Sequence, residues 1–308
     1  MPKTITVASM VYDVYDTNIS SKDSRLKACL AALRGAVYKH YKGRQGNDHY
    51  MIFTGPEYMF ARKNYTFSEF NTPEFRNIGV DKDAHGNDME EDLDARVKVG
   101  YSKDEKNDII SSIQSATKNL PRLLVMPGSI LWADKKKLFA SKKHMFNTVP
   151  VFCDGKMVHE YHKKSASDEI KADYRLRRDR LGVDKYKNYQ ERKYEFKPGS
   201  ASNLFSHWGI DFGIEICADH NQKYAKKEVG DGNSVDIHCL LSAGISPSAF
   251  NVAVGNGGLV IHNDGSTSPA SQSVKTLNIN QNTQGKTLDA TNELTNANEP
   301  IRVWQVTV

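Results

Sequence analysis

Residues 213–220 read "GIEICADH", an apolar and β-branched run that stops at a cysteine followed by a small residue, an aspartate and a histidine. Three readings compete for Cys217: a buried core thiol, a metal ligand and a nucleophile. The run closes the longer stretch "NLFSHWGIDFGIEIC" (203–217), which predicts two strands joined by a Gly-containing turn. Cys217 therefore falls where a strand ends. Side chains that carry chemistry are often displayed there, because a rigid sheet fixes the start of the loop.

Working outward, the same alternation of strand and helix recurs. "KTITVASMVY" (3–12) is a β-rich run, and "SKDSRLKACLAALRGAVYKHY" (21–41) is an amphipathic helix with Leu26, Cys29, Leu30, Leu33 and Val37 on one face. That spacing makes Cys29 a core residue. "HYMIFTGPEYMF" (49–60) is a short apolar strand halted by Pro56. A second helix over roughly 104–119 places Ile109, Ile110, Ile113 and Ala116 together and leads into the strand "PRLLVMPGSILW" (121–132). "NTVPVFCDGKMVHEYHKK" (147–164) predicts a hairpin around Asp154-Gly155, with Cys153 structural beside the turn, and "VDIHCLLSAG" (235–244) predicts another buried strand. From about 250 the chain is rich in Asn, Ser, Thr and Gly, with β runs such as "GGLVIHNDGS" and "IRVWQVTV". Strands interleaved with a few helices predict a layered α/β domain.

Composition narrows the class. The chain has 308 residues, 39% of them apolar, enough to bury a sizeable core. It contains no run of eighteen apolar residues, and "MPKTITVASM" lacks the features of a secretory signal, so a soluble, cytoplasmic protein is expected. Four cysteines without C-x-x-C spacing predict reduced thiols rather than a disulfide framework or zinc ribbon. The net charge of +5 is spread along the chain and calls for neither nucleic acid nor membrane. A denser basic stretch, "YRLRRDRLG" (174–182), is either a solvated helical face or, through Arg175, Arg177, Arg178 and Arg180, a groove for a carboxylate or phosphate.

Three candidate residues sit at strand ends: Glu57 in "GPEYMF", Lys163 in "DGKMVHEYHKK" and Cys217 in "GIEICAD". In this order and context they resemble the nitrilase, or carbon–nitrogen hydrolase, superfamily. Asn147-Thr148 and the Asp-Gly turn also resemble the stretch before that family's lysine. The resemblance covers about residues 3–265. It implies a four-layer α-β-β-α sandwich formed as a single carbon–nitrogen hydrolase domain over 1–308, with atypical excursions at about 61–105 and 164–198. It also implies a second glutamate, for which "QERKYEFKPG" nominates Glu191, with Glu195 and Glu169 as alternatives.

The resemblance implies a chemistry that these residue types can perform. An unperturbed thiol, with a pKa of about 8.5, is mostly protonated at neutral pH and needs a base or a cation beside it. Glu57 would take the thiol proton, while Lys163 and the backbone N–H of Ala218 would stabilise the developing anion. Attack by Cys217 then gives a thioester that water cleaves, with no metal or organic cofactor. Ala218-Asp219 after the cysteine resembles amidases and carbamoyl hydrolases more than nitrilases. Amide or N-carbamoyl hydrolysis of a small molecule is therefore expected. Nitrile hydrolysis, acyl transfer to an amine and a catalytically idle binding relative remain alternatives, and the family's habit implies a homo-oligomer. A metal site drawn from Cys217, Asp219, His220, His238 and Cys239 is the rival reading of the same region. Its spacing is poor, because His238 and Cys239 are strand neighbours that face opposite sides. A protease-like Cys217–His pair is a further alternative, but no histidine sits in a supporting motif.

Overall fold

A computed structural model describes residues 2–14, 21–41, 48–61, 100–134, 143–166, 194–265, 272–280, 285–295 and 299–308. Most of the two excursions lies outside these residues, as do Glu169, Arg175, Arg177, Arg178, Arg180 and Glu191.

The first half of the chain builds one sheet. Strand β1 (Thr4–Met10) is followed by helix α1 (Lys22–Ala36), whose first turn is capped by Ser21 Oγ accepting the Ser24 N–H at 3.1 Å. A π-helical turn, Val37–Tyr41, extends α1. After β2 (His49–Thr54) and β3 (Tyr101–Ser102) comes α2 (Lys103–Thr117), which opens with a capping box between Ser102 and Glu105. The run expected as one strand over 121–132 forms two, β4 (Leu123–Met126) and β5 (Ile130–Ala133). Pro127 has no N–H for a ladder, and Gly128, at φ 100°, turns the chain away. The hairpin β6 (Lys143–Cys153) and β7 (Lys156–His162) turns on Asp154 and Gly155, both at positive φ as a primed turn requires.

The second half builds the other sheet and returns two strands, Tyr194–Phe196 and Ile301–Thr307, to the first. After β8 (Tyr194–Phe196), which joins the first sheet, come β9 (Leu204–His207) and β10 (Ile210–Ile216). Two short helices follow, α3 (Ala218–Gln222) and α4 (Tyr224–Val229). The chain then forms β11 (Val235–Ser242), β12 (Val254–Asp264), β13 (Gln272–Asn280), β14 (Gly285–Ala290) and β15 (Ile301–Thr307). The first sheet runs β15-β1-β2-β4-β6-β5-β3, with β7 and β8 also on β6, and the second runs β14-β13-β12-β11-β10-β9.

Three apolar clusters define the layers. One packs α1 and α2 on the outer face of the first sheet, through Cys29, Leu33, Ile109 and Ile113 against Phe53, Val125 and Phe152. The middle cluster joins the sheets, with Ile5, Val7, Ile52 and Leu124 facing Phe212, Ile214, Ile216, Cys239 and Ile261. A third packs Ala225 of α4 on Val235, Val254 and Val260, on the outer face of the second sheet. The order is α-β-β-α. Among the described residues, no helix is long and apolar enough to cross a membrane.

Candidate active site

The parallel strands β1, β2 and β4 lie in one sheet and β10, β11 and β12 in the other. Glu57 follows β2 in a tight turn. A Cβ at Gly55 would overlap the Pro127 carbonyl, and one at Gly128 would overlap Met59, so glycine alone lets the two turns touch. Tyr58 is held at φ 57°, with its N–H donating to Ser129 Oγ at 2.9 Å. Beneath the turn, the buried Arg25 of α1 donates to the Tyr58 and Met59 carbonyls at 3.1 and 3.2 Å and to the Val14 carbonyl at 3.1 Å. A guanidinium thus fixes the backbone on which Glu57 stands.

Lys163 is the first residue past β7, and its N–H donates to the Asn147 carbonyl at 2.8 Å. Its Nζ lies 2.7 Å from Glu57 Oε1, and neither side chain is exposed. Asn147 Nδ2 donates to the same oxygen at 3.0 Å. Desolvating two charges costs several kcal/mol each, which their attraction only partly offsets, so such a pair is poorly explained by stability. Lys164 turns the other way, to Asn203 Oδ1 at 2.6 Å and Glu228 at 3.4 Å.

Cys217 ends β10 at φ 47° and ψ −109°, a conformation L-residues rarely hold, and its side chain is buried. The turn is fixed from both sides: Cys217 N–H donates to the Leu241 carbonyl and His220 N–H donates to the Cys217 carbonyl, each at 2.9 Å. Asp219, two residues on, ties this turn to Lys163. Its carboxylate accepts the Tyr161 hydroxyl at 2.7 Å, the Ser165 N–H at 2.6 Å and the Lys164 N–H at 3.0 Å. Burial raises the Asp219 pKa, against the pull of those donors and of Lys163. The strand end bearing Lys163 is thereby clamped to the turn bearing Cys217. The other thiols have no such setting: burial pushes Cys29 and Cys239 up to about 12 and Cys153 to about 11.

Glu195 stands on β8 with a mostly exposed side chain, 3.9 Å from His144. The rival metal ligands are separated. Asp219 is spent on the Lys163 segment and Cys239 faces the core between the sheets, whereas His220 and His238 meet at Glu215. Sequence reasoning missed Glu215 and Arg25. Glu215 was signalled only by a charge within "GIEIC", and Arg25 reads in sequence as part of a polar helix face.

No family model matches the chain, and no curated protein matches its sequence. Solved structures do resemble it. Nit3 of Saccharomyces cerevisiae, a member of branch 10 of the nitrilase superfamily, aligns over 98% of this chain and 90% of its own at 12% identity, with a TM-score of 0.52. A carbon–nitrogen hydrolase of Helicobacter pylori G27 aligns over 98% and 88% at 13% identity, with a TM-score of 0.50. The glutamine-dependent NAD+ synthetase of Acinetobacter baumannii gives 13% identity and a TM-score of 0.50, over 98% of this chain but 45% of its own. The fold is that of the nitrilase superfamily.

Proposed function

We propose that the protein is a carbon–nitrogen hydrolase that cleaves a small amide or N-carbamoyl compound through Cys217. The observation that carries this reading is the fully buried Glu57–Lys163 pair at 2.7 Å, clamped through Asp219 to the strained turn of Cys217. Glu57 takes the Cys217 proton as the sulfur attacks the carbonyl carbon, and the carbonyl electrons move onto oxygen. Lys163 and the Ala218 N–H stabilise that oxyanion. As it collapses, the C–N bond breaks, Glu57 returns the proton to the leaving nitrogen, and ammonia or an amine departs. Water, deprotonated by Glu57, then cleaves the thioester, freeing the acid and restoring the thiol. Glu191, chosen on its sequence context, is the second carboxylate in this proposal and positions the substrate nitrogen or holds Lys163.

Ala218-Asp219 after the nucleophile favours amide or carbamoyl substrates over nitriles. The test is ammonia release from a panel of amides, N-carbamoyl amino acids and nitriles, with Cys217→Ala in parallel. Release that vanishes in the variant supports the reading. Release that survives in Cys217→Ala removes it.

A further inference from the structure

Glu215 is two residues before Cys217 but serves the opposite face of the second sheet, where its Oε1 accepts the Ala225 N–H of α4 at 2.8 Å. Its Oε2 is 2.8 Å from His220 Nδ1 and 3.2 Å from His238 Nε2, the latter close enough for charge attraction but off the line of a good hydrogen bond. All three side chains are fully buried. On their far sides, the rings meet backbone donors: Ser248 N–H reaches His220 Nε2 at 2.9 Å, and Ala253 N–H reaches His238 Nδ1 at 3.1 Å.

Those two amides fix the tautomers. A backbone N–H only donates, so His220 Nε2 and His238 Nδ1 must carry lone pairs, and the ring hydrogens sit on His220 Nδ1 and His238 Nε2, facing Glu215. Burial opposes the charge on Glu215, yet the hydrogen bond from His220 and the close approach of His238 Nε2 prevail and hold the carboxyl down to about 2. A cation among the three would need lone pairs where those hydrogens are. Moving the hydrogens across the rings would point them at the Ser248 and Ala253 N–H groups, two donor–donor collisions in a dry site. The arrangement is built for hydrogen bonds rather than for a metal.

We propose that Glu215, His220 and His238 are positioning residues for Cys217, holding α3 and the 243–253 segment in the register that sets the nucleophile. His220 links both parts, since its ring grips Ser248 while its backbone N–H holds the Cys217 carbonyl. Ser248 and Ala253 are pinned through one carboxylate, and β11, which leads into that segment, supplies the carbonyl that binds the Cys217 N–H. The link to catalysis rests on the hydrolase reading; the link to thiol geometry does not.

The test compares wild type with Glu215→Gln, His220→Ala, His220→Gln and His238→Asn. Three quantities are read: amide hydrogen exchange at Ser248 and Ala253, the rate of Cys217 alkylation by iodoacetamide, and kcat and KM separately. Because misplacing a reacting group by about 1 Å costs about a hundredfold, Glu215→Gln and His220→Ala should lower kcat and alkylation at least about tenfold, with little change in KM. His220→Gln offers an acceptor near the place of Nε2. It should restore protection at Ser248 and most of the alkylation rate, and His238→Asn should retain protection at Ala253. Folded Glu215→Gln and His220→Ala variants that keep wild-type alkylation and exchange overturn the proposal, as does stoichiometric zinc or nickel binding that Glu215→Gln abolishes. If Glu215→Gln does not fold, the His220→Ala and His220→Gln pair decides. A wild type that releases no ammonia fails the hydrolase reading alone, and alkylation and exchange then decide this inference.

Discussion

Lys163 Nζ and Glu57 Oε1 are 2.7 Å apart with both side chains fully buried, and Asn147 Nδ2 shares the same oxygen. Removing the lysine leaves a buried carboxylate without its cation. We expect Lys163→Met to lose about 3–5 kcal/mol of stability and at least about a hundredfold in turnover. The double variant Lys163→Met/Glu57→Leu should regain most of the stability and none of the activity. Urea unfolding beside ammonia release reads both, and a double variant as unstable as the single would contradict the picture.

Asn147 is the less obvious member of this group. Its amide donates to a charged acceptor, an interaction worth about 1.5–3 kcal/mol, so Asn147→Ala should reduce kcat roughly ten- to a hundredfold. KM should move little, because Asn147 holds Glu57. Steady-state kinetics on the best substrate of the panel would expose the opposite pattern.

Cys217 stores backbone strain at φ 47° and ψ −109°. Glycine relieves it, and alanine does not. Cys217→Gly should therefore be more stable than Cys217→Ala by about 1–3 kcal/mol, although glycine loosens the unfolded chain and takes back part of the gain. Equal midpoints in chemical denaturation would mean that the turn is not strained.

Thiol chemistry should be selective. Burial holds Cys29, Cys153 and Cys239 in the unreactive protonated form at neutral pH. Brief iodoacetamide treatment at about pH 7.5, followed by peptide mass analysis, should mark Cys217 well before the other three. Early labelling of Cys29 or Cys239 would reject that order.

His262 gives stability a pH dependence of known sign. Burial pushes its imidazole from 6.5 down to about 4, against the opposing pull of Asp264 and the Ile245 carbonyl. Between those values the unfolded chain binds the extra proton. The contribution is whole above about pH 6.5 and is lost as pH falls toward 4, a change of roughly 3 kcal/mol. His262→Gln should flatten the fall in unfolding free energy between about pH 6.5 and about 4.5. Glu160 and Glu215, both held down to about 2, add their own loss at lower pH. An unchanged slope in the variant would assign the dependence elsewhere.

The strands were legible because their periodicity and turn residues agree, as at Asp154-Gly155. Helix α1 was legible in place but not in every contact. Arg25 reads as solvent-facing, and only the three carbonyls gathered by the fold give a buried guanidinium its partners. Trp208 occupies a positive-φ turn position that sequence would give to Asn, and its ring is held by stacking on Tyr50 at 4.7 Å. Glu57, Lys163 and Cys217 could be singled out because each follows a strand in a distinctive local context. His220 and His238 were grouped only as candidate metal ligands, and Glu215 was not joined to them, because the rings' other partners are backbone amides of a distant loop, which leave no mark in side-chain spacing.

Strand β15 lies along β1, with Thr307 opposite Thr4 and Ile301 opposite Met10. Among the described strands, one edge of β1 is thus completed by residues the ribosome adds nearly three hundred positions later. Throughout synthesis that edge stays unsatisfied beside a nearly finished sheet, a state prone to pairing with other nascent chains. The burden on chaperones should therefore depend on how soon β15 follows β1 out of the exit tunnel.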